Sequence, residues 1–358
     1  MAKRTTTTTK KKASAKGTAA PATRKKGAAG IATLLPLALS LLPGALALRQ
    51  PVTKPTAEEV QATAKILQAT AKDFSIPMSN LQQWASSVLV TLNDVKIEGN
   101  SGVHLEDADC EIHFGAHAPG FKGDPDGLVL EPMNACSLPF PGQEEQKNSD
   151  YLNFAKRIKD KNITATGVPR IWPEHLHGGG ASNPDHAVEL HPLTVVKEAD
   201  GTNTDFTANL SAGEFRGGVS SPTAQAILKK TRVRVTRTGN NAQIEFFGGQ
   251  IGNFTVLEVA IDPKTISADT EGSFRMNGQV VLDDGDIIPV HVVTVKDSSF
   301  NKAIDKLRSR KNIVNLGEVL VLFSLSPEAL LDAANKSSNG QPFTLEHPIQ
   351  LILYGPPD

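Results

Sequence analysis

One helix pattern falls between the third and fourth of five strand patterns in residues 88–196, and that order restricts the fold more than any other feature of the chain. Residues 88–98 (V-L-V-T-L-N-D-V-K-I-E) alternate apolar and polar side chains, as a half-buried strand does. Residues 110–114 and 127–132 read as two more strands, with Asp124-Pro125-Asp126-Gly127 as the turn between them. Ser149 or Asp150 opens a helix that carries Tyr151, Phe154, Ala155 and Ile158 on one face. Its basic end, Lys156 to Lys161, suits the helix dipole. Residues 163–172 and 187–196 complete the set. Three strands, a helix and two strands are the layout of a small OB-like barrel. The expected fold is therefore β-rich α+β: a five-stranded OB-like barrel with an inserted helix over residues 87–198, followed by a second α+β domain.

That second domain is expected over residues 205–358, after the polar stretch 198–205. Strand patterns cover 231–236, 242–247, 254–261, 278–282, 287–295, 318–324 and 349–354, and helix patterns cover 223–230, 300–311 and 327–335. Ser326 before Pro327 and Glu328 is a helix start. No internal repeat relates the two halves. Ahead of the barrel, residues 55–86 read as a helical lead segment. Thr56 caps one helix that Pro77 stops, and Ser79 caps a second with Leu81, Trp84 and Ala85 as its apolar face.

Composition matters most at the N-terminus. The whole chain has a formal net charge of -1, yet the residues before Gly27 include nine Lys and Arg and no acidic residue. An uncharged apolar run, 27–48, follows and ends in Ala45-Leu46-Ala47. A basic stretch, an apolar run and a small-x-small site are the layout of a secretory signal. Residues 1–48 are expected to be a signal peptide, or an N-terminal anchor through 27–48 that Pro36 and Pro43 would kink. In both cases the remainder lies outside the cytoplasm, periplasmic or extracellular, and touches membrane only through this segment. With the basic charge confined to the leader, no folded basic face is implied and nucleic acid is not an expected partner. Cys110 and Cys136 suit an oxidising compartment, where they would either pair, contributing roughly 3 kcal/mol, or remain two unpaired thiols.

Several pieces occur together in one order: D-A-D-C-E-I-H-F (107–114), L-V-L-E-P-M-N-A-C (128–136), a helix, I-T-A-T-G-V (163–168), His177-Gly178, and V-E-L-H-P-L (188–193). This set resembles a family of uncharacterised exported bacterial proteins with an OB-like domain ending in a V-T-G-V strand and an E-x-H-P strand. The resemblance covers residues 88–196. It implies fold and address but no chemistry, and the chain departs from it at His175, His177 and His186.

Four of the nine histidines lie between 162 and 196. Glu189 and His191, at i and i+2, share one face of a strand. With Asp109 and His113 on the second strand they form the candidate ligand-binding set. Alternatively His175, His177, His186 and His191 converge on Zn2+ or another divalent metal. A third possibility is a polar network that only fixes the strand's exit. No G-x-S-x-G, P-loop or dinucleotide fingerprint occurs, nor an H-E-x-x-H motif. The expected function is an exported, non-catalytic binding or envelope-associated protein of unknown ligand, with no cofactor. The alternative is a metal-dependent hydrolase using the 175–191 loop.

Overall fold

Every strand from the second to the sixth pairs with two others in a closed circuit. The computed structural model describes residues 72–103 (backbone only at 100–103), 111–133, 135, 137–176, 183–211, 218–248, 250–337 and 340–355. In chain order these contain β1 (Lys72–Pro77), α1 (Met78–Ser86), β2 (Val90–Val103), β3 (Ile112–His117), β4 (Leu128–Leu130), α2 (Asn148–Ile158), β5 (Asn162–Ile171), β6 (Val188–Glu198), β7 (Asn203–Asp205) and α3 (Ser221–Lys230). There follow β8 (Arg232–Thr238), β9 (Asn241–Phe247), β10 (Phe254–Ile261), β11 (Ser267–Ala268), β12 (Phe274–Val281), β13 (Ile287–Thr294), α4 (Ser299–Leu307), β14 (Val314–Leu325), α5 (Pro327–Lys336), β15 (Phe343–Leu345) and β16 (Ile349–Tyr354).

The first barrel runs β4-β3-β2-β5-β6 and closes by the parallel pairing of β4 with β6. Antiparallel first, second and third strands, closure of third on fifth in parallel, and a helix before the fourth give OB topology. Tyr151, Phe154, Ala155 and Ile158 of α2 are all buried, spaced as one helical face. Phe154 meets Phe114 edge-on, with ring centroids 5.8 Å apart.

The second half repeats this plan. β10, β12, β13, β14 and β16 pair in the same order, with β13 and β16 parallel and α4 again before the fourth strand. The repeat is one of topology, shared strand order and parallel closure, where no internal repeat was expected. An insertion, α5 and β15, separates the fourth and fifth strands of this barrel. β15 joins β8, β9 and β1 in a four-stranded sheet.

β1 differs from the expectation for the lead segment. Residues 72–77 are extended and pair with β9, Lys72 opposite Phe246. A helix starts at Met78, with Leu81 and Trp84 buried as expected; its N-cap position is Pro77, and Ser79, expected to cap it, lies within its first turn. The remainder of the lead, the expected signal, Asp109, Cys110, Cys136 and His177 lie outside the described residues. Among the described residues no helix is long and apolar enough to cross a membrane.

The two barrels meet along β5 and β14. Ile171 N donates to Ser324 Oγ at 3.1 Å, and the Trp172 indole stacks on Phe323 with centroids 6.1 Å apart. Met133 and Val168 pack in one apolar cluster with Leu322, Ile352 and Tyr354. β6 is consequently buried on almost every residue, because one face looks into its barrel and the other is covered.

Candidate functional site

Alternation along β6 sends Val188 and Leu190 into the core and turns Glu189 and His191 to the opposite face. Arg170 stands directly across from Glu189 in the β5–β6 ladder, so the two share that face. Its Nη1 donates to Glu189 Oε2 at 2.5 Å, and its Nε donates to Phe323 O at 2.8 Å across the inter-barrel seam. Nη2 reaches Glu174 Oε2 at 3.4 Å. The Arg170 side chain has no exposed surface at all, and that of Glu189 is 1% exposed.

Glu131 directly follows β4, and its backbone continues alongside β6. Glu131 N donates to Leu190 O, and Leu193 N donates to Glu131 O. Its carboxylate thereby reaches His191. Nδ1 of His191 lies 2.6 Å from Glu131 Oε2 and 3.2 Å from Glu189 Oε2, while Nε2 lies 2.9 Å from Glu111 Oε1 and 2.8 Å from Met133 Sδ. His113 Nε2 approaches the other Glu131 oxygen at 3.2 Å. His186 Nε2 reaches Glu189 Oε1 at 3.2 Å, and its Nδ1 lies 2.6 Å from Pro184 O.

The protonation states follow from the partners. Ionised carboxylates and backbone carbonyls only accept, so an imidazole with such a group at each nitrogen must donate from both. His186 and His191 are both placed in this way and are imidazolium. Burial alone would lower the His191 value, but Glu111 and Glu131 outweigh it and hold the ring well above its usual pKa. His186 is raised as well, burial being outweighed by Glu189. Glu189 is held well below the carboxylate range, because Arg170 and the two histidines overcome its burial. Glu131 is lowered too, its burial outweighed chiefly by His113 and His191. Four carboxyl groups, Glu111, Glu131, Glu174 and Glu189, therefore face three cationic groups, Arg170, His186 and His191.

His175 lies at the edge. It is half-buried, its ring stacks on His186 with centroids 5.2 Å apart, and burial lowers its pKa, which leaves it neutral. Asn183 Nδ2 lies 3.3 Å from His175 Nδ1, a ring nitrogen free to accept in the neutral form.

Among the residues proposed from sequence, His113, Glu189 and His191 come together, and His186 joins them through Glu189. His175, His186 and His191 do not converge as a ligand set. The group close enough to hold an ion is Glu111, Glu131 and His191, each offering a donor atom within 4.8 Å of the others. Glu111 and Glu131 stand on opposite sides of the His191 ring, however, where a protonated imidazole bridges two carboxylates. Glu111, Glu131 and Arg170 are the members that sequence reasoning missed. The signal was available in Glu111 at i, i+2 from His113 and in charges closing the apolar runs L-V-L-E and V-P-R-I-W.

No protein-family model matches the chain, and no curated protein is significantly similar to it.

Proposed function

We propose that the protein is an exported, non-catalytic binding protein of the cell envelope, in which the Glu/His/Arg cluster locks two OB-topology barrels together. The observation that carries this reading is burial. Glu111, Arg170 and His191 have no exposed side-chain surface, and Glu131 and Glu189 have 2% and 1%. Groups sealed in this way are shielded from a large substrate, and most of their close polar partners are one another. The basic leader, the apolar run and the A-L-A site support the address, and the resemblance over residues 88–196 points the same way. OB-topology barrels serve as binding scaffolds in many settings, a fold-level analogy that accords with binding while the fold itself assigns no function.

Two measurements test the reading. A C-terminally tagged protein should fractionate outside the cytoplasm. The purified protein should hydrolyse bis(p-nitrophenyl) phosphate no faster than a heat-killed sample, with or without added Mn2+ or Zn2+. Turnover that disappears in His191→Gln would replace this reading with an enzyme.

A second reading, a metal-dependent hydrolase with its divalent cation at Glu111, Glu131 and His191, is favoured by the convergence of those three groups. Elemental analysis of the purified protein decides it. The first reading expects no stoichiometric metal; one metal per chain, lost in Glu111→Gln, would favour the second.

A further inference from the structure

A cavity of about 170 Å3 lies against the outer face of the second barrel. Its floor is a polar row across three strands: Asn277 pairs with His291 on the neighbouring strand, and His291 pairs with Gln350 on the next. Arg275, two residues before Asn277, shares that face. The walls come from two helices, Trp84 of α1 and Glu328 in the first turn of α5. Arg275 donates to the carbonyls of Trp84 and Ala85, which holds the end of α1 over the barrel. Asn277 and Glu328 are exposed and form the rim, whereas Trp84 is 2% exposed.

The placement is what a ligand face requires. β12 and β13 are the second and third strands of an OB circuit. Thr265 and Ser267 come from the connection between its first and second strands, and Pro327 and Glu328 from that between its fourth and fifth. Ligands of OB barrels lie on this face and against these two loops.

Chemistry narrows the occupant. Arg275 carries one positive charge and Glu328 one negative. Burial lowers the His291 value, so its ring is neutral. An anion would meet Glu328 and a cation Arg275, so neither has a net advantage. The amides of Asn277 and Gln350 offer donors and acceptors together. The space is that of roughly half a dozen waters at about 30 Å3 each, enough for one ring and too little for a chain. Among the described residues, the aromatics lining the cavity are His291 and Trp84, and the burial of Trp84 leaves no open face for stacking a nucleobase.

We propose that this face of the second barrel binds a small neutral polyhydroxylated molecule, a single sugar unit, held by Asn277, Gln350, Arg275 and Glu328, with Trp84 in the cavity wall as a reporter of its arrival. This rests on the binding-protein reading above and gives that reading a ligand class.

The chain has two tryptophans, Trp84 and Trp172, so isotope-labelled protein gives two indole N–H resonances, and Trp84→Phe assigns them. Glucose, N-acetylglucosamine and myo-inositol are titrated as neutral probes, with sodium acetate and sodium phosphate as anions. At least one neutral probe should move the Trp84 signal and leave Trp172 in place. Glu328→Ala, an exposed position that spares the fold, should weaken that probe about tenfold, as loss of a charged hydrogen-bond partner does. The proposal is overturned if no neutral probe moves Trp84, if an anion binds there more tightly, or if Glu328→Ala leaves affinity unchanged. Probe-dependent shifts elsewhere, with Trp84 still, would remove this site while leaving a binding protein. Phosphodiester turnover in the earlier assay would remove the binding protein whatever the titration gives.

Discussion

Arg170→Met is expected to lower the free energy of unfolding by about 3–5 kcal/mol, the usual loss when one partner of a buried ion pair is removed. Methionine keeps most of the length and packing of arginine, so the effect isolates charge and hydrogen bonding. Glu189 would stay buried without its closest cation, and Phe323 O would lose the donor that reaches it across the seam. His186 and His191 still face Glu189, which places the loss near the lower end of that range. Adding Glu189→Gln should return part of it, because the stranded charge is then gone. Urea unfolding of the three proteins measures this through the midpoint at unchanged slope. A single-mutant loss below about 1 kcal/mol, the scale of an exposed pair, would mean that the cluster does not hold the barrels.

His191→Gln is the second large effect, about 3 kcal/mol or more on the same grounds, and it carries a pH signature. The folded pKa values of His191 and His186 are raised, so their stabilisation is complete below the unfolded imidazole value of about 6.5 and is lost as pH rises through the folded values. Glu131 and Glu189 are lowered; their contribution is present above the unfolded carboxyl value of about 4.3 and is lost as pH falls through the folded ones. His175, His291 and His347 are lowered by burial and so oppose protonation below about 6.5. Stability should therefore peak near neutrality on its acidic side and decline into the alkaline range. Unfolding free energies of metal-free protein across that range should fall for the wild type and stay flatter for His191→Gln. Parallel curves would show that His191 is not the group responsible.

Much of the fold could be read from local pattern. β10 and β16 begin and end where alternation predicts, and the buried face of α2 is the one its spacing marks. The second barrel could not be read in this way. Its closing pair, β13 with β16, is separated by two helices and two strands, and nothing local shows that α5 and β15 interrupt a circuit. β1 was hidden for the same reason, since its partner β9 lies beyond the entire first barrel. The site divides along similar lines. Glu189 and His191 are two apart on one strand, a relation visible in any alternating segment. Glu131 and Arg170 each occur as a lone charge beside apolar residues, and Glu111 ends an acidic stretch, patterns that an exposed strand edge also produces. Only the second barrel, by covering that face, makes them interior.

β1 precedes the first barrel and touches it by a single bridge, Ser75 with Asp124, yet its ladder is with β9, a strand that follows that barrel. Chain order and cooperative units therefore do not coincide. A fragment ending at Glu198 would keep the first circuit, but it would leave β1 only its bridge from Ser75 to Asp124 and return three carboxyl groups and a guanidinium to water. Neither half is a separable module, and the 198–205 boundary, plain as it is in composition, is a poor place to cut the polypeptide.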